Sequence, residues 1–551
     1  MDSNLVSRFK IQKPSSYNKD SSKNRYSCTK CRQLKKKCTK EISGCYNCSR
    51  YSRQCTYLDR KASIPKPVPT EPSALLDETA AYHEKPFLVP SPSSSPSASE
   101  SHLLLQSLGF SQWVLNKTDT VVCPPITKEL ASKFVEAYFK HNHRSYPFIC
   151  QSAFIQEFSK LESLEDSVTN YFGFEIFMIM AIGCTTLSRV GLLRQEDIYS
   201  KFFSSQCVKF LSQGITFTSV ETIKMLLLLC IYSFFEPQGL QTWNLFGQVA
   251  RATISSGLNK GVKGGGLDNE MKNRLFWSIH NMDRLLSISL GRPLTIDEYD
   301  IDVPVPAKLD DEENFTYKTI VAIINLRQIE GLIIKKLYSI RARDIYQQKE
   351  ITQINDQLDQ WLKLRPNRPE NLKFFSFHGS DVWYLARYYH NLMLLYRPSY
   401  LVPRPTITEL NSLGDYCLQS LSYTHKLFEA KLLPLNWITL YRFLTVCSSV
   451  LYCLCNWSID LNESKAEIYF LVEILDAFSA NWVFASKCSK VVKNIVDNIL
   501  EVSLTASGDE FSNVKLLSSE LLGASSAYHE ILSDNSIDIS FPSYLYDELI
   551  P

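Results

Sequence analysis

Six cysteines near the start of the chain have the type and spacing for metal chemistry. Cys28, Cys31, Cys38, Cys45, Cys48 and Cys55 follow C-x2-C-x6-C-x6-C-x2-C-x6-C, so the unit C-x2-C-x6-C occurs twice, joined by residues 39–44. Two cysteines three apart can grip one metal from a tight turn, and a helix of about two turns brings back the third. One zinc held by Cys28, Cys31, Cys45 and Cys48 is a workable four-thiolate site. It leaves Cys38 and Cys55 idle, each seven positions after a ligand. Two tetrahedral zincs need eight bonds, and six thiolates supply eight when two of them bridge. Cys28 and Cys45, which open the two halves, are the natural bridges, and two zincs fit better. No ligand position is left for water, so the metals are expected to be structural. A module this small depends on them to fold, at roughly 10–16 kcal/mol per structural zinc.

The charges around the cluster indicate what it faces. The chain has 551 residues and a formal net charge of +2. Residues 1–61 hold sixteen Lys and Arg against four acids, a balance of +12, which leaves −10 on the other 490. A basic head on a mildly acidic body points to a polyanionic partner at one end only, and double-stranded DNA is the expected one. The first half carries Lys30, Arg32, Lys35, Lys36 and Lys37; the second carries only Arg50 and Arg53. A helix near Arg32–Lys37 is therefore expected to enter the major groove. Lys35 is assigned to base edges, and Arg32, Lys37, Arg50 and Arg53 to phosphates. The run Lys35–Lys37 also suits nuclear import, which is compatible with DNA contact.

These residues carry a resemblance. Cys28-Thr-Lys-Cys-Arg-Gln-Leu-Lys-Lys-Lys-Cys38 resembles the first half of the fungal binuclear zinc-cluster DNA-binding domain, whose C-x2-C-R-x2-K-x-K-C pattern is filled here by Arg32, Lys35 and Lys37. The resemblance implies a pseudo-twofold pair of short helices around two bridged zincs, reading CGG-type triplets through the first helix. It covers about 30 residues. Members commonly carry a proline in the loop before the fourth cysteine, whereas residues 39–44 have none. Many also have pairing heptads after the cluster. Here the prolines at 65–72 forbid a long helix, so binding as a monomer and homodimerising through the helical body both remain open.

The rest of the chain must position this module. Residues 1–24 read as a basic disordered tail, 25–58 as the zinc-cluster domain, and 59–126 as a flexible Pro/Ser-rich linker. From Thr127 the apolar spacing turns helical: Thr127 can cap a helix with Leu130, Phe134, Tyr138 and Phe139 on one face. Met271–Leu290 repeats the pattern and stops at Gly291 and Pro293. The spacing recurs in Leu413–Phe428, Trp437–Trp457 and Leu517–Leu532. No sustained alternation suggests a sheet. The expected fold is a small binuclear zinc-cluster domain plus a large all-α regulatory domain over 127–533. The apolar windows Phe172–Leu187 and Met225–Phe235 fall short of the ~20 residues of a spanning helix. Both read as buried core helices, so no membrane partner is expected. The ten cysteines outside the cluster are expected to be small buried hydrophobes.

A second resemblance lies in this body. Tyr138-Phe139 with His141, Tyr146-Pro-Phe148 and Phe154, then Arg274-Leu-Phe-Trp277, Asp283-Arg284, Gly291-Arg-Pro293 and Asp300-Ile-Asp-Val-Pro304 resemble the fungal-specific transcription factor domain and its middle homology region, over about 130–460. It implies an all-helical regulatory domain that senses a ligand or restrains activation. Physically, Phe276 and Trp277 read as core anchors, Asp283, Arg284 and Arg292 as structural ion pairs, and Asp297, Asp300 and Asp302 as a plain acidic turn. His141 and His143 read as packing or surface groups. Residues 534–551 interleave acids with Ile, Leu, Phe and Tyr, the composition of a disordered activation segment; a strap docked on the body is the competing expectation.

Enzyme signatures are lacking: there is no G-x-x-x-x-G-K-[ST], H-E-x-x-H or G-x-S-x-G, so catalysis is not expected. The expected protein is a nuclear, sequence-specific transcription factor that acts on RNA polymerase II genes and engages the transcription machinery. The alternative is an architectural DNA-binding protein of a centromere-type complex with the same cluster.

Overall fold

In the computed structural model, the chain is described at residues 28, 30–31, 38–39, 45–50 and 55–56, and then over 125–161, 170–191, 196–211, 219–235, 242–261, 265–339, 348–367, 376–399 and 405–505. It divides into two compact units, residues 1–91 and 92–551. In the first unit, Lys30 and Cys31 are helical and α1 spans Tyr46–Arg50.

The second unit contains α2 (Lys128–His141), α3 (Gln151–Ser159), α4 (Tyr171–Arg189), α5 (Glu196–Leu211), α6 (Val220–Ser233), α7 (Thr242–Ser255) and α8 (Leu267–Leu290), then α9 (Asn314–Ile333), α10 (Gln348–Lys363), α11 (Asp381–Tyr396), α12 (Ile407–Glu429), α13 (Trp437–Cys455), α14 (Leu461–Ser479) and α15 (Val483–Thr505). No strand occurs among the described residues. The helix boundaries have local causes. Thr127 Oγ1 accepts from Leu130 N at 3.2 Å and starts α2, satisfying one of the unpaired first-turn donors. Thr406 and Glu409 form a reciprocal capping box that starts α12. Gly291 ends α8 at φ 63° in the left-handed region, where its N–H bonds Ser287 O.

Apolar stripes merge into one hydrophobic core that runs from α2 to α15. The most extensive packings are α4 on α5, α2 on α4, α11 on α12 and α14 on α15. The α2–α4 approach depends on Gly183: a Cβ there would lie 1.9 Å from the Phe134 carbonyl oxygen. Two helices, α4 and α13, are long and apolar enough to cross a membrane, yet 72% and 78% of their apolar windows are buried inside the unit. Met225 to Phe235 is likewise buried. α13 ends at Cys455, two residues before the expected stop. Trp457 turns out at φ 54° and is half exposed. The stretch Leu517–Leu532 and the tail 534–551 lie outside the described residues.

Candidate metal centre and nucleic-acid interface

Four thiols converge in the first unit. The Sγ atoms of Cys28, Cys31, Cys45 and Cys48 all lie within 4.8 Å of one another, and all four side chains are buried. Cys28 Sγ is 3.7 Å from Cys45 Sγ and 3.6 Å from Cys48 Sγ; Cys31 Sγ is 3.5 Å from Cys45 Sγ. These separations are too long for disulfides. They are close to the edge of a tetrahedron built on zinc–sulfur bonds of about 2.3 Å, about 3.8 Å.

The two halves repeat each other. Cys31 N points at Cys28 Sγ (3.4 Å), as Cys48 N points at Cys45 Sγ (3.4 Å). Cys28 N donates to Cys38 Sγ at 3.4 Å, and Cys45 N to Cys55 Sγ at 3.2 Å. Cys28 pairs with Cys48 just as Cys45 pairs with Cys31. Exchanging the two halves, which lie seventeen positions apart, thus maps every one of these contacts onto its counterpart, as a pseudo-twofold module requires. Cys38 and Cys55, half-buried, pack against the inner four. The inner four alone would suit one zinc. The outer two, held alike on the two halves, are the further thiols on which a second zinc would draw. The loop before the fourth cysteine lacks a proline, but Thr39 Oγ1 accepts from Tyr46 N at 2.9 Å and ties the start of that loop to α1.

Burial pushes the thiols of Cys28 and Cys31 above their usual range and that of Cys48 up to about 12. Free of metal, these thiols hold their protons, so zinc binding must displace protons and weaken in acid.

Of the basic residues assigned to DNA, Lys30 and Arg50 are described, and both are exposed. Lys30 lies in the helical stretch with Cys31, and Arg50 ends α1, so each half presents at least one cation on its helix. Arg32, Lys35, Lys36, Lys37 and Arg53 lie outside the described residues.

In the second unit the signature residues form a clamp. Arg274, nearly fully buried, donates to Glu270 at 2.9 Å, to both Glu312 oxygens at 2.9 and 2.7 Å and to Ala307 O at 2.7 Å. Trp277 Nε1 donates to Pro304 O at 2.8 Å. Asp283 and Arg284, both fully buried, pair at 2.8 Å. Asp283 also accepts from Thr295 N and Ile296 N, and Arg284 reaches Glu298 at 2.7 Å. Although burial opposes it, His280 and Arg284 hold the Glu298 carboxyl down to about 2. These contacts pin the extended segment after Pro293 onto α8. Phe276 and Trp277 are core residues as expected. Arg292 is not in an ion pair among the described residues; it lies over the Trp243 ring, 4.9 Å from its centroid. Among the described residues its guanidinium has an aromatic face within reach and no carboxylate, which corrects the expected pairing. The acidic turn is a 3₁₀ turn, Glu298–Asp300, whose Asp297 accepts from Tyr299 N and pairs with Lys335. His141 and His143 are buried and so are not surface groups. The partners Glu298 and Glu312 were not singled out from sequence. They sit 14 and 38 positions from their arginines, beyond any local periodicity.

Residues 26–63 match the fungal Zn(2)-Cys(6) binuclear cluster domain, and residues 135–363 match the fungal specific transcription factor domain. In both matched domains the chain resembles the fungal zinc-cluster transcription factors. Its N-terminal domain is a binder of two zincs, and its donor set fits them. The second match ends with α10, short of the 130–460 expected, although α11–α15 share the same core. The chain is 39% identical over 448 residues to Protein STB5 of Saccharomyces cerevisiae and 30% identical over 606 residues to the "Negative regulator of pleiotropic drug resistance STB5" of Candida glabrata, each alignment covering 76% of this chain. It is 23% identical over 307 residues to Pyrimidine pathway regulatory protein 1 of Saccharomyces cerevisiae, covering 51% of this chain and 33% of that protein. The chain spans 60% of the length of each of the first two relatives.

Proposed function

We propose that this chain is a nuclear, sequence-specific transcription factor of RNA polymerase II genes, with no catalytic activity of its own. All six cysteines serve as ligands, and Cys28 and Cys45 bridge the two zincs. The observation that carries this reading is the pseudo-twofold set of thiol contacts within residues 28–55. Six thiolates outnumber the charges of two zinc ions, so the metal core is anionic, and the lysines and arginines around it both offset that charge and face DNA. Lys35 reads base edges of a CGG-type triplet, while Lys30, Arg32, Lys36, Lys37, Arg50 and Arg53 contact or steer toward phosphates. Two relatives whose printed names denote regulators support the transcriptional role.

The test is a mobility-shift titration of the full chain on a duplex bearing a CGG triplet and on a scrambled duplex, before and after zinc removal. Preference for the triplet that disappears on chelation and returns with added zinc is expected. Undiminished, sequence-selective binding by the metal-free chain would overturn the reading.

A further inference from the structure

Three arginines from distant parts of the chain meet inside the helical unit: Arg327 on α9, Arg387 on α11 and Arg442 on α13. With His141 and His378 they line a cavity of about 80 Å³. Arg327 is paired with Glu330 three residues on. Among the described residues, neither Arg387 nor Arg442 has an ion pair. Arg387 Nε and Arg442 Nε and Nη2 are buried and have no hydrogen-bond partner, as are His141 Nδ1 and His378 Nδ1. Arg387 as a whole is 8% exposed. Among the described residues, Glu330 is the carboxylate whose charge bears on Arg387 and Arg442, and repulsion from the neighbouring arginines adds to the effect of burial.

A buried guanidinium without a counter-charge is destabilising unless something supplies one. Planar forked N–H donors are suited to the oxygens of a carboxylate or phosphate. Size narrows the choice. At roughly 10–15 Å³ per enclosed water, the cavity holds a handful of water-sized groups, well below the ~300 Å³ of a drug-sized pocket. A nucleotide does not fit; an anion of a few heavy atoms does. Burial also holds His141 down to about 3, so the two imidazoles are neutral and each can offer an N–H. Ser145 Oγ lies 2.8 Å from His378 Nε2 and orients that ring.

We propose that Arg387 and Arg442, with His141 and His378, form a binding site for a small oxyanion, a phosphate or a short-chain carboxylate, at the junction of α9, α11 and α13. Arg387 and Arg442 lie beyond the segment matched to the fungal specific transcription factor domain, so the site is a feature of this chain's full helical unit. An anion there would tie together helices that share no sequence neighbourhood and report its concentration to the whole unit. The proposal stands apart from the DNA-binding reading, since its residues all lie in the second unit and its exchange readout falls on α11 and α13 of that unit.

The experiment is thermal unfolding of the full chain titrated with inorganic phosphate or with succinate, each against sodium chloride at equal ionic strength. A saturable rise in melting temperature with phosphate alone identifies a phosphate site, and with succinate alone a carboxylate site. Arg387→Gln and Arg442→Gln should weaken that response at least about tenfold. Their anion-free melting temperature should stay level or rise, because an uncompensated charge has gone. Hydrogen exchange of the unaltered chain is the second readout, with anion-dependent protection expected in α11 and α13. No response to either anion, an equal response in both Gln variants, or protection confined to other helices overturns the proposal.

Discussion

Replacing Cys28 with Ala tests the bridged cluster most directly. Its Sγ lies 3.7 Å from Cys45 Sγ and 3.6 Å from Cys48 Sγ, both from the other half, and it receives the Cys31 N–H from its own. Cys38 has a narrower role: its Sγ accepts from Cys28 N within its own half. A bridging thiolate contributes one bond to each zinc and a terminal one a single bond. Dividing roughly 10–16 kcal/mol per structural zinc among four ligands gives about 3 kcal/mol per bond, or about a hundredfold in affinity. Cys28→Ala should therefore weaken both sites about a hundredfold and release both metals to a competing chelator. Cys38→Ala should release one and leave the other measurable. Native mass spectrometry of the full chain, with a graded chelator series, counts the zincs directly. Retention of two zincs by Cys28→Ala, at chelator levels that strip one from Cys38→Ala, would refute the bridge.

Three further predictions concern reading, acid and packing. Lys35→Ala should relax base preference at the triplet, whereas Arg50→Ala should weaken all sequences alike and lower the salt slope by about 1; competition binding at several salt concentrations separates them, and unchanged preference in Lys35→Ala removes it as the reader. In the helical unit, burial pushes His141 and His143 down to about 3 and His280 down to about 4. Unfolded histidine titrates near pH ~6.5, so below that the unfolded chain takes up protons that the folded unit refuses. Stability is fully present above about pH 6.5 and falls as pH drops toward 4, by about 3 kcal/mol from His280 alone; urea midpoints that stay level across that window contradict the burial of neutral imidazoles. Gly183→Ala places a Cβ 1.9 Å from the Phe134 carbonyl oxygen, so α2 and α4 must part and stability should drop by about 3 kcal/mol or more, read as a lower melting temperature; an unchanged value would mean the two helices do not approach as described.

Some of this protein is local in character, and the sequence determined it. The spacing of six cysteines sets how many thiols can converge, because a C-x2-C turn and a short return helix leave little freedom. Thr127 and Gly291 mark helix ends through contacts with residues three or four away. The apolar stripe of α8 is likewise a matter of period, and Phe276 and Trp277 are buried where it places them. Tertiary structure alone decided which partners meet across long gaps. Glu312 reaches Arg274 from 38 positions away, and Arg292 rests on the Trp243 ring instead of a carboxylate. Arg327, Arg387 and Arg442 are separated by dozens of residues, and no periodicity links them. They share one cavity because helix packing brings α9, α11 and α13 together around it, and burial there is what turns ordinary cations into an electropositive site.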